Sequence, residues 1–157
     1  MKQFITMKKS QEYDVYTFTG SGDWKFGPII QLFDPFMRSG WLIEWLGDDE
    51  ETIDGNECVD IRKEKGAIAL YDVSDGLDEE VYISIDPDPT KRFEMSRNNF
   101  AEILYRWEEL RVSRPDTILV VIHEDNHVSL ETDLTIIKEY QDAGYAFDIN
   151  KEELNNA

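Results

Sequence analysis

The sequence predicts an α+β fold: an antiparallel sheet built from hairpins in a meander, packed by one main amphipathic helix and a second helix near the C-terminus. Three observations carry that expectation. An apolar stripe at helical spacing runs from Phe100 to Leu110, a nearly all-apolar β-rich run follows at residues 117–123, and short alternating segments bounded by turn residues lie on either side. The chain has 157 residues, no internal repeat and no Gly/Ser/Pro-rich linker, so it reads as a single globular domain over 1–157 with a frayed polar tail after Ile149. A domain of that size buries roughly 70% of its unfolded surface and needs no metal or disulfide to hold it together.

In chain order, residues 4–7 and 13–18 read as two short strands. Between them and Trp41 the backbone breakers Gly20, Gly22, Gly27-Pro28 and Asp34-Pro35 interrupt every pattern, and the sequence leaves the structure of residues 19–66 open. The apolar run 41–46 fits a strand or a helical turn and is assigned as a strand. Residues 67–73 and 81–85 are strand candidates joined by the turn 74–78, and Val81, Ile83 and Ile85 alternate with Tyr82 and Ser84. The main helix is expected over 97–111, with Ser96 as N-cap, Met95 stapling onto Phe100, and Phe100, Ile103, Leu104, Trp107 and Leu110 as the buried face. Pro115 ends it. The run 117–123 is the pattern of a central strand, and Glu124-Asp125-Asn126 turns it into a short partner at 127–131. Leu134, Ile137 and Tyr140 mark a second helix over 132–143, with Gly144 as its stop.

Charge is the strongest compositional fact. The chain carries 34 acids against 16 bases, a net charge of −18. Residues 48–90 alone hold 15 acids and 3 bases. Such a field repels nucleic-acid phosphates and anionic membranes and attracts basic proteins. The bland alternative is a set of solvated loops that keep the protein soluble. Apolar residues at 41% and 19 aromatics (4 Trp, 7 Tyr, 8 Phe) exclude a disordered acidic tail. The lone cysteine, Cys58, permits no intrachain disulfide, and with neither a secretion signal nor an apolar run of membrane-span length the expected location is cytoplasmic. No feature fixes an oligomeric state.

Motifs for catalysis are weak. His123 and His127 straddle the proposed hairpin turn, where a shared face is not guaranteed, and a zinc site would need further ligands. The carboxylates near 72–88 (Asp72, Asp75, Asp78, Glu79, Glu80, Asp86, Asp88) could attract a hard cation, yet their spacing fails the calcium-loop pattern. Gly20-Ser21-Gly22 is neither a phosphate loop nor a dinucleotide fingerprint. No catalytic residue, metal or cofactor is expected.

Recognition is better supported. Nine of the 19 aromatics fall within 13–45, and four consecutive acids follow at 48–51. Large anchors beside steering charge are the make-up of a protein-binding surface, whereas core packing is the commoner use of any single aromatic. The candidate partner-binding residues are Asp48, Asp49, Glu50, Glu51, Asp75, Asp78, Glu79 and Glu80 with Trp24, Trp41 and Trp45.

Residues 93–110, Phe93-Glu94-Met95-Ser96-Arg97-Asn98-Asn99-Phe100-Ala101-Glu102-Ile103-Leu104-Tyr105-Arg106-Trp107-Glu108-Glu109-Leu110, continue through Arg114-Pro115-Asp116-Thr117-Ile118 into the strand behind. That stretch resembles the small immunity proteins encoded beside bacterial polymorphic or contact-dependent toxins. The resemblance covers residues 93–131 and rests on a cap, a staple and a core face rather than on a site. It implies a cytoplasmic inhibitor that neutralises a cognate basic toxin, often a nuclease. The alternatives are a non-inhibitory adaptor or regulatory binding module and, third, a metal-dependent enzyme using the clustered carboxylates.

Overall fold

The computed structural model describes residues 3–10, 16–19, 27–33, 39–55, 59–72 and 89–143. It confirms the α+β class, with two four-stranded antiparallel sheets where a single sheet was expected. The chain divides into two compact units, Met1–Gly22 with Glu102–Ala157, and Asp23–Ala101.

In the first unit, β1 (Gln3–Lys9), β2 (Tyr16–Thr19), β7 (Thr117–Ile122) and β8 (Val128–Glu131) form a sheet in the order β2-β1-β7-β8. The β7 run is central as expected, paired with β1 on one side and β8 on the other. Side chains alternate across a sheet, so Phe4 and Thr6 lie on one face with Val121 and Leu119, while Ile5 and Met7 lie on the other with Val120 and Ile118. All eight are buried, which requires a layer on each face. Helix α4 (Leu134–Ala143) covers the first face through Ile137 and Tyr140, whose ring meets Phe4 edge-on at 5.9 Å. On the second, Tyr16 stands opposite Lys9 and its ring lies 6.2 Å from that of Trp107 on helix α3 (Arg97–Ser113).

Helix α3 follows its expected course. The Ser96 hydroxyl accepts from the Asn99 backbone N–H at 3.0 Å, the anticipated cap. Phe100, Ile103, Leu104, Trp107 and Leu110 are all buried. At the far end Arg114, in the left-handed region at φ 50°, donates its backbone N–H to Leu110, and Pro115 prevents continuation. Met95, read as a staple, is a buried strand residue opposite Ile68.

The second unit contains β3 (Ile53–Gly55), β4 (Val59–Glu64), β5 (Ala67–Asp72) and β6 (Arg92–Ser96), paired in that order. Register separates its faces sharply. Val59, Ile61, Lys63, Ile68, Leu70, Phe93 and Met95 share one face, and helix α1 (Gly27–Leu32) packs across β4, β5 and β6 with Ile29 and Leu32 buried. The opposite face carries Asp60, Arg62, Glu64, Tyr71, Arg92 and Glu94. There Arg92 binds Glu64 through both terminal nitrogens (2.7 and 3.1 Å), and reaches Glu94 at 2.8 Å and the Tyr71 hydroxyl at 2.7 Å.

One expectation is corrected. Residues 41–46, assigned as a strand, belong to helix α2 (Ser39–Trp45) and the turn after it. In a strand Trp41, Ile43 and Trp45 would share one face. The helix instead sets Leu42 and Leu46 on a buried side and pairs Trp41 with Trp45 on another. Tyr13, Phe26, Phe36, Cys58, the strand candidate 81–85 and the tail after Ile149 lie outside the described residues, as does the turn 74–78. No helix among the described residues is long and apolar enough to cross a membrane.

Candidate functional site

Of the residues singled out for partner binding, the structure brings together Trp41, Trp45 and the acids 48–51, all in the second unit. Trp24, Asp75, Asp78, Glu79 and Glu80 lie outside the described residues, as do all the carboxylates considered for a hard cation except Asp72, in β5. Four residues apart on α2, Trp41 and Trp45 stack at 6.4 Å between centroids with planes 15° apart. Trp41 remains 44% exposed, and Trp45 anchors the pair by donating its indole N–H to the Thr52 hydroxyl at 2.7 Å. Helix α2 then stops short. Leu46 still donates back to Leu42, Gly47 tightens to Glu44, and a Cβ on Gly47 would sit 3.0 Å from that same carbonyl oxygen.

Two cations that sequence reasoning missed shape the acidic loop. Lys63 is only 2% exposed, yet its ammonium donates to the Trp45 carbonyl at 2.6 Å and to Asp48 Oδ1 at 2.8 Å, and lies 4.7 Å from the Trp45 ring centroid. Arg97, at the start of α3, donates to the backbone carbonyls of Leu46 and Asp48 and to Asp49 Oδ1 at 3.2 Å. The loop is therefore wound around two positive groups. Asp48 also accepts the Glu50 backbone N–H at 2.9 Å. The signal for Lys63 was present in the sequence, because the period-2 series Val59, Ile61, Lys63 places a lysine at an apolar-face position.

The arrangement splits the four acids by role. All four are exposed, but Asp48 and Asp49 pair with Lys63 and Arg97 within the chain, whereas Glu50 and Glu51 extend the charge along the same loop. Glu51 also borders an open cleft of ≈ 490 Å³ lined with Asp49, Glu64, Lys65, Gly66 and Arg97. Gly66 turns the β4–β5 hairpin at φ 73°, a conformation that favours glycine.

Hydrogen bonding from Lys63, then from the Glu50 N–H, holds the Asp48 carboxyl below the ordinary carboxylate range, and Arg92 does the same for Glu64. A carboxyl lowered in the folded state stabilises the fold above its unfolded pKa, and that contribution is lost as pH falls through the lowered value. Urea midpoints followed from about pH 7 to about pH 3 should therefore fall more steeply for the parent than for an Asp48→Asn/Glu64→Gln variant. Parallel curves would mean that neither pair contributes to folding.

In the first unit the two histidines do share a face. His123 donates its backbone N–H to the His127 carbonyl at 2.8 Å, extending the β7–β8 register by one pair and placing the side chains opposite each other. Among the described residues, no three His, Cys, Asp or Glu form a ready metal-ligand group. Comparison with protein-family models, with curated proteins and with solved structures gave no match to this chain.

Proposed function

We propose that this chain is an acidic binding protein that neutralises a cognate basic toxin in the manner of an immunity protein, with Trp41, Trp45, Glu50 and Glu51 at its contact surface. The observation that carries the reading is the stacked tryptophan pair, half open to solvent, leading directly into an acidic loop that Lys63 and Arg97 hold in shape. An aromatic anchor on a pre-shaped element supplies contact area at low entropic cost, and the adjoining carboxylates attract a basic surface before contact. A net charge of −18 strengthens that attraction and weakens any for nucleic acid.

The test uses the product of a toxin gene adjacent to this one. Association is measured by stopped flow against ionic strength for the parent and for Glu50→Gln/Glu51→Gln, which leaves the internal pairs of Asp48 and Asp49 intact. The variant should associate about tenfold more slowly at low salt and show a flatter salt dependence, with dissociation changed less. Trp41→Ala should instead accelerate dissociation. Unchanged rates in both variants would remove this surface from the reading, and a gene neighbourhood free of toxins would count against neutralisation itself.

A further inference from the structure

The β7–β8 hairpin brings together three groups that the binding surface does not use. The imidazoles of His123 and His127 lie with ring centroids 5.4 Å apart and planes 60° to each other. His127 Nε2 is 3.5 Å from Glu102 Oε2 on α3, and His123 Nε2 is 3.2 Å from the Ser129 hydroxyl. The turn between the histidines is fixed: Asn126 sits in the left-handed region at φ 63° and donates to the His123 carbonyl, and Asp125 accepts the His127 N–H at 3.1 Å. Both imidazoles are therefore presented from a short, hydrogen-bonded hairpin rather than from a long loop.

Those separations come near the demands of one metal ion without forming a ready ligand set as they stand. With Zn–N about 2.0–2.1 Å and Zn–O about 2.0–2.2 Å, two imidazoles on a tetrahedral ion place their ring centroids roughly 5 Å apart and neighbouring ligand atoms about 3.3–3.5 Å apart. The observed 5.4 Å between rings and 3.5 Å between Nε2 and Oε2 lie close to both figures. We propose that His123 and His127, with Glu102 as a third ligand, form a binding site for a divalent transition metal of the zinc or nickel type. The groups are not a closed three-ligand cage beforehand, and the half-open His127 and exposed Glu102 side chains are free to turn toward His123 as the ion enters. Imidazole selects borderline metals over Mg²⁺ and Ca²⁺, which prefer an all-oxygen shell. The Ser129 hydroxyl orients the His123 ring, as partners behind metal ligands do. A coordination site open on one side has room for water or for a donor atom from another molecule.

The experiment is a calorimetric titration of the full, tag-free chain with ZnCl₂ and NiCl₂ in excess Mg²⁺, which occupies non-specific sites on so acidic a surface. One saturable site per chain is expected. It should weaken on the order of 10- to 100-fold or more in His123→Asn and in His127→Asn, since even partners behind the ligands are worth that much, and less in Glu102→Gln. Because the chain contains only two histidines, its imidazole proton resonances also report on the parent protein alone. Paramagnetic Ni²⁺ should broaden both sets together, whatever the folding of the variants. Absence of saturable binding, competition by Mg²⁺, broadening of one imidazole only, or retention of the site in a His123→Asn/His127→Asn double variant would each overturn the assignment.

Discussion

Trp107→Ala is expected to lower the unfolding free energy by about 3 to 5 kcal/mol, through lost transfer energy and the cavity left behind. Trp107 is 3% exposed, sits at the middle of the α3 stripe and packs its ring against Tyr16. Tyr16 is itself held, donating its hydroxyl to the Pro115 carbonyl at 2.5 Å, so the gap cannot be filled by a simple swing of that ring. Burial, then the neighbouring Asp116, pushes the Tyr16 phenol above its ordinary pKa, so it stays a donor further into the alkaline range than a free phenol would. Urea denaturation measures the change. Tyr105→Ala and Val112→Ala on the same helix, at residues 59% and 85% exposed, serve as controls and should stay within about 0.5 kcal/mol of the parent. A loss below about 1 kcal/mol for Trp107→Ala would show that the surrounding residues collapse into the space.

The elements legible in the sequence were those whose periodicity is long or chemically uniform. Helix α3 shows its stripe over three turns, and β7 is an unbroken β-branched and leucine run, so neither depends on distant residues for its assignment. The segment 41–46 is six residues long, too short for periodicity to separate a strand from a helix, and packing of Leu42 and Leu46 decides it. The three-residue β3 is too short to show a period, and strand β4 was missed because Asp60, Arg62 and Glu64 look like a solvated charge run. In the fold those residues form a polar sheet face, with Arg62 lying 5.3 Å from the Tyr71 ring centroid. The neighbourhood of Trp41, Trp45 and the acids was visible in the chain order. What holds it was not, since Lys63 and Arg97 come from 15 and 49 residues further along and are joined to the loop only by the tertiary fold.

Lys63 gives the second large effect. Lys63→Ala removes a buried four-carbon stem together with two charge-assisted hydrogen bonds, and it should cost roughly 2 to 4 kcal/mol of stability. Lys63→Met retains most of the stem's volume and deletes only the ammonium, so its loss should be smaller than that of the alanine variant. The carboxylate left behind does not magnify either loss, because Asp48 faces solvent and water can replace the missing donor. The carbonyl of Trp45 is the acceptor most affected, since Lys63 ties it to the sheet at 2.6 Å. Denaturant midpoints of the two variants divide the effect between packing and charge. Equal losses would mean that the ammonium carries the whole contribution, whereas a parent-like Lys63→Met would mean that the stem does. Protease cleavage within 46–51 provides a local measure: with the ammonium gone, the loop keeps Arg97 but loses one of its two cations, and cleavage should accelerate in Lys63→Met beyond what its global stability explains. If cleavage instead follows the global unfolding free energy in parent and variant alike, the loop opens only when the whole unit unfolds, and its shape does not depend on Lys63.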